Sequence, residues 1–577
     1  MILQSLVELY ERLEEDEKVP QKGWCQAKIS YVLNLSKEGK ILSIVSLKEE
    51  QERGKKKVLI PSILTVPEMV TRSSLKVSAN FLCDNSKYML GIDVGGTDQR
   101  ALECFQAAKE RHISLLKEIE GPMAQAVCLY FQNWDPKSAR INPIINERWD
   151  EITDGGNLIF SMGMDYAQDD YKIKEMWNQI TEKTEGEQKG ICLVTGKKAI
   201  ISRIHKTIKG VPGAQPSGAA LVSFNFKSSE SYGKSQSYNA PVGEYAEFAY
   251  TTALNYLLGQ REYTLLLGDS MIMFWAENGK EVYQDIFAKS LNPQKDNEKI
   301  LKDIFEQFRG KELVQMDEVQ LNLKQKFCVL ALAPNAARLS VRLFYQNSLG
   351  NILKSISNHY QRMEIIRPVW EEKEYLGIRD MLFETINQKS KDQSPIPNMA
   401  AMVLQAILSD SRYPVGLYSN TILRIKAEQG NVTWGRAGII KAFLIQNYGW
   451  NKGDDYVALN QESKDVAYVL GRLFFVLESI QLDANPGIKS TIRDRYFNSA
   501  CATPASIFPI LIKLKNSHMK KLERDRGGSK IYYEQMLSDI MGKISKFPKR
   551  LSLEQQGAFS LGYYHQMQQK YKKKEDN

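Results

Sequence analysis

Apolar and polar positions change rhythm near residue 345 of this 577-residue chain. Over residues 1–13 the apolar positions recur at helical spacing with Glu8, Glu11 and Arg12 between them. This predicts an amphipathic N-terminal helix and not a cleaved leader. Residues 27–35 and 41–47 alternate with period two around Tyr31, Leu33 and Leu35. The turn residues Lys37, Glu38 and Gly39 join them into a hairpin. A loop rich in Gly and Lys (Gly54, Lys55, Lys56, Lys57) leads to a short apolar segment at 58–63. Residues 98–119 carry Leu102, Phe105, Ala108, His112, Leu115 and Leu116 at helical spacing. Short β-like segments follow at 126–132, 190–194, 219–226 and 264–276. Among them, 241–258 reads as a helix with Tyr245, Phe248, Ala249 and Thr252 on one face. Residues 327–332 and 339–345 read as two strands separated by Pro334 and Asn335. Beyond that point the pattern is helical, at 347–362, 398–409, 436–446, 465–482, 506–523 and 532–544. No internal repeat is visible. The expected fold is α+β: an N-terminal mixed α/β body with antiparallel sheet over 1–345, a helical connecting region over 346–454, and a C-terminal α-helical bundle over 455–577.

Composition narrows the class. Hydrophobic residues make up 43% and charged residues 25%, as in ordinary soluble globular proteins. No apolar run approaches the ~20 residues needed to cross a bilayer, so no membrane role and a cytoplasmic location are expected. The seven cysteines form no C-x-x-C pair, which argues against a disulfide framework or a zinc site and for buried free thiols. The net charge is +9. From residue 455 onward there are 20 Lys and Arg against 13 Asp and Glu, whereas the rest of the chain has 57 against 55. A concentrated basic excess is the footprint of a phosphate-binding surface, although a basic tail such as 570–574 also aids solubility.

Several motifs resemble catalytic signatures without meeting their chemistry. Residues 91–97 (GIDVGGT) match the phosphate loop of actin-like sugar kinases, in which an Asp positions Mg²⁺ and Gly amides wrap phosphate. Here the motif follows 90 residues of chain and has no second phosphate loop. Asp93 and its glycines equally suit a turn before the helix at 98–119. The kinase is kept as the alternative function. Residues 190–198 (GICLVTGKK) have five residues between the glycines where a P-loop has four, and Lys198 stands where Ser or Thr must hold Mg²⁺. The histidines (His112, His205, His359, His518, His565) form no HD, H-x-x-x-H or H-E-x-x-H pattern, and no G-x-S-x-G elbow occurs. His205, between Arg203 and Lys206, reads as a surface or phosphate-facing group. The expectation is a non-enzyme with no catalytic residue, metal or cofactor.

Several segments, in order, resemble one family. They are 192–196 (CLVTG), 204–210 (IHKTIKG), 213–225 (GAQPSGAALVSFN), 231–234 (SYGK), 239–241 (NAP), 250–255 (YTTALN), Gly268 and Asp269, 274–277 (FWAE) and 333–342 (APNAARLSVR). Toward the C-terminus come 483–487 (DANPG), 492–496 (IRDRY), 502–504 (ATP) and 556–566 with its LGYYHQ ending. Together they resemble the large subunit of the type I-C CRISPR surveillance complex (Cascade), the Csd1-like family. At Arg72-Ser73-Ser74-Leu75 the family pattern has a Gly after the first Ser, and this chain departs from it. The resemblance implies an antiviral, RNA-guided role. The subunit sits with the guide RNA and the other Cascade subunits, checks the protospacer-adjacent motif (PAM) in target double-stranded DNA and promotes R-loop formation. A separate helicase-nuclease then joins. The resemblance also implies a small subunit made by internal initiation, with Met399 and Met402 as early candidates and a start near Val457 or Leu459 isolating the basic bundle more cleanly.

Read for that role, residues 206–234 have the chemistry a PAM contact needs. Lys206, Lys209 and Lys234 suit phosphates, and Gln215, Ser217 and Asn225 suit base edges or a polar wedge. Gly210, Gly213, Gly218 and Gly233 permit close backbone approach. Gln215 is the preferred wedge. Arg72, Ser73, Ser74, Lys76 and Asn80 form a second candidate surface, with Lys22 and Trp24 near it, although Trp24 reads first as core. Arg338 and Arg342, four apart, share a face whether helical or extended, and either track guide RNA or pair with acids. Arg493, Arg495, Lys513, Lys520, Lys521, Arg524 and Arg526 are the expected backbone contacts for the displaced strand, with Tyr496 and Phe497 for stacking. A solvated helix face is the plain alternative for each isolated lysine.

Overall fold

The structure, a computed structural model, describes residues 1–53, 56–70, 72, 77–182, 188–277, 281–307, 313–316, 319–391, 393–450 and 454–575. The chain forms two compact units: Met1–Lys206 with Ser223–Leu254, and Thr207–Val222 with Asn255–Asn577.

The first unit is built on a seven-stranded sheet with order β3-β4-β1-β6-β5, where β2 also pairs with β1 and β7 with β6. Its strands are β1 (Trp24–Leu35), β2 (Ile41–Ser46), β3 (Lys48–Arg53), β4 (Lys56–Pro67), β5 (Cys83–Asp84), β6 (Asn157–Met162) and β7 (Asp165–Tyr166). The pairs are antiparallel except β1 with β6, which is parallel. β1 is the central strand, which explains its nearly unbroken burial from Ile29 to Leu33. Helices Gln99–Leu116 and Pro122–Asn133 contribute to the core on one face, around Phe105, Phe131 and Phe160. Residues 126–132, expected as a strand, lie in the second of these helices. Gly121 and Pro122 open it, and its apolar residues fall on a helical face. A small hairpin, β8 (Lys189–Ile191) and β9 (Lys198–Ile200), follows.

The second unit has a four-stranded antiparallel sheet, β10-β11-β14-β15, made of β10 (Thr264–Leu267), β11 (Ser270–Ala276), β14 (Lys326–Asn335) and β15 (Arg338–Ser348). Between them lies the hairpin β12 (Leu313–Met316) and β13 (Val319–Asn322). β14, inside the sheet, is buried from Phe327 to Ala333. One continuous core joins this sheet to the helices after it, from Leu349–Met363 to Leu553–Glu575. Helix Val466–Ala484 is buried on nearly every side, as an all-round apolar helix must be. It crosses Leu553–Glu575 at backbone contact, where Gly471 faces the Phe559 carbonyl and Gly562 faces the Tyr468 carbonyl. The expected class therefore holds: mixed α/β with sheets in the N-terminal half and helices in the C-terminal half. Residues 219–226, expected as a strand, form only isolated bridges, Ile208 to Ala219 and Ala220 to Arg338. Among the described residues, no helix is long and apolar enough to cross a membrane.

Candidate nucleic-acid interface

The kinase-like segment at 91–97 is a turn. Asp93 and Gly96 exchange backbone hydrogen bonds of 2.7 and 2.9 Å. The Asp93 carboxylate is paired with Lys87 at 2.5 Å, which holds its pKa below the usual range. Asp98 then caps the helix, accepting from the Ala101 N–H at 2.6 Å.

Of the candidates in the first unit, Arg72 and Asn80 are built into the fold. Arg72 makes a two-pronged ion pair with the buried Asp84, one arm at 2.8 Å, and lies 3.9 Å over the Tyr88 ring. Asn80 is buried, with its N–H on Asp84 at 2.9 Å and its side-chain oxygen taking the Val70 N–H at 2.9 Å. Ser73, Ser74 and Lys76 lie outside the described residues, as do Gly54 and Lys55. Trp24 is core, donating to Asn178 at 2.7 Å, and Lys22 pairs with Glu244 at 3.1 Å.

His205 is not the surface group expected. It is buried, its Nδ1 2.6 Å from the Tyr250 hydroxyl, and burial drives its pKa down to about 4, so it is neutral at pH 7. Lys206 beside it is exposed but ion-paired with Glu68, and its backbone N–H donates to the buried Glu247 at 2.6 Å. Asn225 and Lys234 are exposed. The backbone joins several of these segments in the first unit. Leu193 N–H donates to the Pro241 carbonyl (2.9 Å), Ser202 N–H to that of Val242 (2.9 Å), and Ser237 N–H to that of Arg203 (3.3 Å). Arg203 thus lies beside the segment that follows Lys234.

In the second unit, Lys209, Gln215 and Ser217 are all exposed on one loop. Two hydrogen bonds between Ile208 and Ala219, of 2.8 and 2.9 Å, close its base, and Ile208, Val211 and Ala219 anchor it in the interior. Gly218 takes φ +103° against Thr207, where a Cβ would sit 2.6 Å from the Thr207 hydroxyl. Asn255 takes the Lys209 N–H at 2.8 Å. Beyond the loop, Ala220 docks on the start of β15 through hydrogen bonds of 2.9 and 3.0 Å to Ala337 and Leu339. The result is a short, pinned loop with its polar side chains outward. Arg342 pairs with Asp269 at 3.5 Å and sits where the β14–β15 register slips, so the even offset between Arg338 and Arg342 no longer places them on one face.

The C-terminal cations divide. Arg495, Lys513, Lys520 and Arg526 are exposed. Lys513, Lys520 and Arg524 recur on one face of helix Pro504–Asp525, although Arg524 is also paired with Asp525 at 2.8 Å. Lys521 donates to Asn485 at 3.0 Å. Arg493 is only half-buried and lies 3.9 Å from the buried Glu478 beside Tyr563. Phe497 cannot stack on a nucleobase, because it is packed edge-on against Phe474, Phe559 and Tyr563 in the core. Tyr496 is half-buried.

Counting charge by chain end missed a second basic stretch, poor in carboxylates, ahead of the C-terminal one. Residues 188–240 hold eight lysines and arginines and a single carboxylate, Glu230. The eight are Lys189, Lys197, Lys198, Arg203, Lys206, Lys209, Lys227 and Lys234, and all are exposed. Among the described residues only Lys206 of these is ion-paired. Such a stretch raises a positive potential with little internal neutralisation, and it carries amide and hydroxyl side chains within the same loops. A sliding-window charge count would have found it.

Residues 6–571 match the family model described as CRISPR-associated protein (Cas_Csd1). No curated protein matches the chain.

Proposed function

The chain belongs to the CRISPR-associated Csd1 family, and on that premise we propose that it is the large, non-catalytic, nucleic-acid-binding subunit of a type I-C surveillance complex. In this reading it works in the cytoplasm with guide RNA and the other Cascade subunits. It reads the PAM in duplex DNA, promotes strand opening and R-loop formation, steadies the displaced strand and helps recruit the helicase-nuclease. The guide supplies sequence specificity by base pairing, so protein contacts need only read the short PAM and hold backbone.

The observation that carries this reading is the stretch 188–240, with eight exposed cations to one carboxylate and two turn-rich, side-chain-outward segments. Lys209, Lys227 and Lys234 suit phosphates, and Gln215 suits a wedge. Its loop is closed at the base by the Ile208–Ala219 bridge, so a base step pushed against it meets a fixed stem. The C-terminal face with Lys513 and Lys520 suits a displaced strand. Arg72, Asn80 and Phe497 are left out of this reading, since their side chains are occupied within the fold.

A mobility-shift titration tests the proposal, using guide-loaded complex with and without this chain on targets with randomised PAM positions. Binding that needs the chain, selects PAM bases and weakens on Gln215→Ala is the expected result. Binding indifferent to the chain or to the PAM sinks the reading.

A further inference from the structure

Tyr232 is 97% exposed and has φ +53°. It is the second residue of a turn in which the Lys234 N–H donates to the Ser231 carbonyl at 3.0 Å. Gly233 follows at φ +69°, so both central positions are left-handed, as in a type I′ turn. That geometry suits Asn or Gly and disfavours tyrosine, and an exposed ring gains no burial to offset the strain. The turn is nonetheless held firmly. Asn239 accepts the Ser231 N–H (2.9 Å) and donates to the Lys234 and Gln236 carbonyls (2.8 and 2.9 Å). The surroundings therefore impose a strained backbone whose visible effect is to aim an aromatic ring into solvent. Strain of this kind persists where it serves a task.

The neighbours indicate what the ring meets. Along the chain it is flanked by serines and by Lys227 and Lys234, within the stretch whose single carboxylate is Glu230. An aromatic anchor for a protein partner sits in an apolar patch with a polar rim. A ring on a rigid stem among cations and hydroxyls is the arrangement that holds unpaired nucleic acid, with the base on the ring and the phosphates on the lysines. We infer that Tyr232 is a stacking platform for an unpaired or flipped-out base of the bound nucleic acid. The inference rests on the nucleic-acid-binding reading above and adds a contact that the sequence motifs did not assign.

The test uses guide-loaded complex containing the full chain and a PAM-bearing target duplex with 2-aminopurine placed singly at each PAM-proximal position. Tyr232→Phe should bind and quench like the wild type. Tyr232→Ala should bind about 10-fold more weakly and lose quenching at one or two positions. Wild-type affinity and quenching in Tyr232→Ala overturn the inference and leave the recognition role standing. No binding by the wild-type complex itself overturns both. If Tyr232→Ala keeps its unfolding midpoint but leaves the complex on gel filtration, the ring anchors a protein and the inference fails.

Discussion

Adding one methyl group at Gly471 tests the packing that fixes the C-terminal bundle. A Cβ there would lie 2.8 Å from the Phe559 carbonyl carbon and 2.8 Å from the Tyr563 amide nitrogen, with the Phe559 carbonyl oxygen closer still. Ordinary carbon contacts begin near ~3.5 Å, so the two helices must part by about 1 Å or bend. The obstacle is backbone, which cannot rotate aside, so the overpacking cost falls in the upper part of the ~1–3 kcal/mol range. Replacing a helical glycine by alanine returns about 1 kcal/mol of propensity. Gly471→Ala should therefore destabilise by about 1–2 kcal/mol, lowering Tm by about 1–3 °C for a unit of this size. Gly528→Ala is the matched control. It lies in the first turn of helix Gly527–Met541, where an added Cβ meets nothing within 4 Å, so the same change there should be neutral or slightly stabilising. Urea midpoints by far-UV circular dichroism give both values. Gly471→Ala at or above wild-type stability would refute backbone contact between the two helices as the feature that fixes the bundle.

Two further outcomes follow from charge. Replacing Lys197 and Lys198 by alanine should reduce the slope of log K against log[salt] by about 1 for each phosphate left without its lysine, and weaken binding alike on all sequences; an unchanged slope in the assembled complex would mean that neither lysine meets backbone. Burial holds the histidine pKa values at about 4 for His112 and His205 and about 3 for His359 and His565, below the ordinary value near ~6.5. The unfolded chain thus takes up protons first. Their contribution to stability is complete above pH ~6.5 and falls as the pH drops toward the folded values, by up to about 1.4 kcal/mol per pH unit for each histidine. Urea midpoints at pH 7.5 and 5.5 should show this loss, smaller in His359→Gln, and equal pH dependence in the two proteins would refute it.

Long apolar patterns were readable because one periodicity dominated them. The helices Leu349–Met363 and Val466–Ala484, and the strands β1 and β14, lie where the pattern predicts. Short apolar runs were not. Residues 126–132 (AVCLYFQ) carry aromatic and branched residues that suit a strand, and only the preceding Gly121-Pro122 argues for a helix start. The helix Leu553–Glu575 was hidden by its glycines and tyrosines, whose reasons lie far away in sequence. Gly557 faces Tyr418, Tyr563 donates to Glu478, and Gln566 accepts from Arg472. The same distance explains the candidate residues. Nothing near Arg72 in the sequence announces a two-pronged partner in Asp84, and Phe497 beside Arg495 gives no sign that it points inward. The exposed loop carrying Gln215 was legible from its glycines, whereas the shape of the turn at Tyr232 needed the position of Asn239.

The continuous core of the second unit constrains how a shorter polypeptide could be drawn from this gene. Tyr564 donates to the Ile366 carbonyl at 2.7 Å, Tyr418 stacks on Phe443 at 4.3 Å and faces Gly557, and Lys441 closes the end of helix Leu349–Met363 through the Glu364 carbonyl at 2.7 Å. A product begun near Val457 keeps the last helices but loses Tyr418 and Lys441. One begun at Met399 retains both and loses the helix that Lys441 closes. An internal start at either position would therefore release a fragment with a bare apolar flank, which another protein, or another copy, would have to cover.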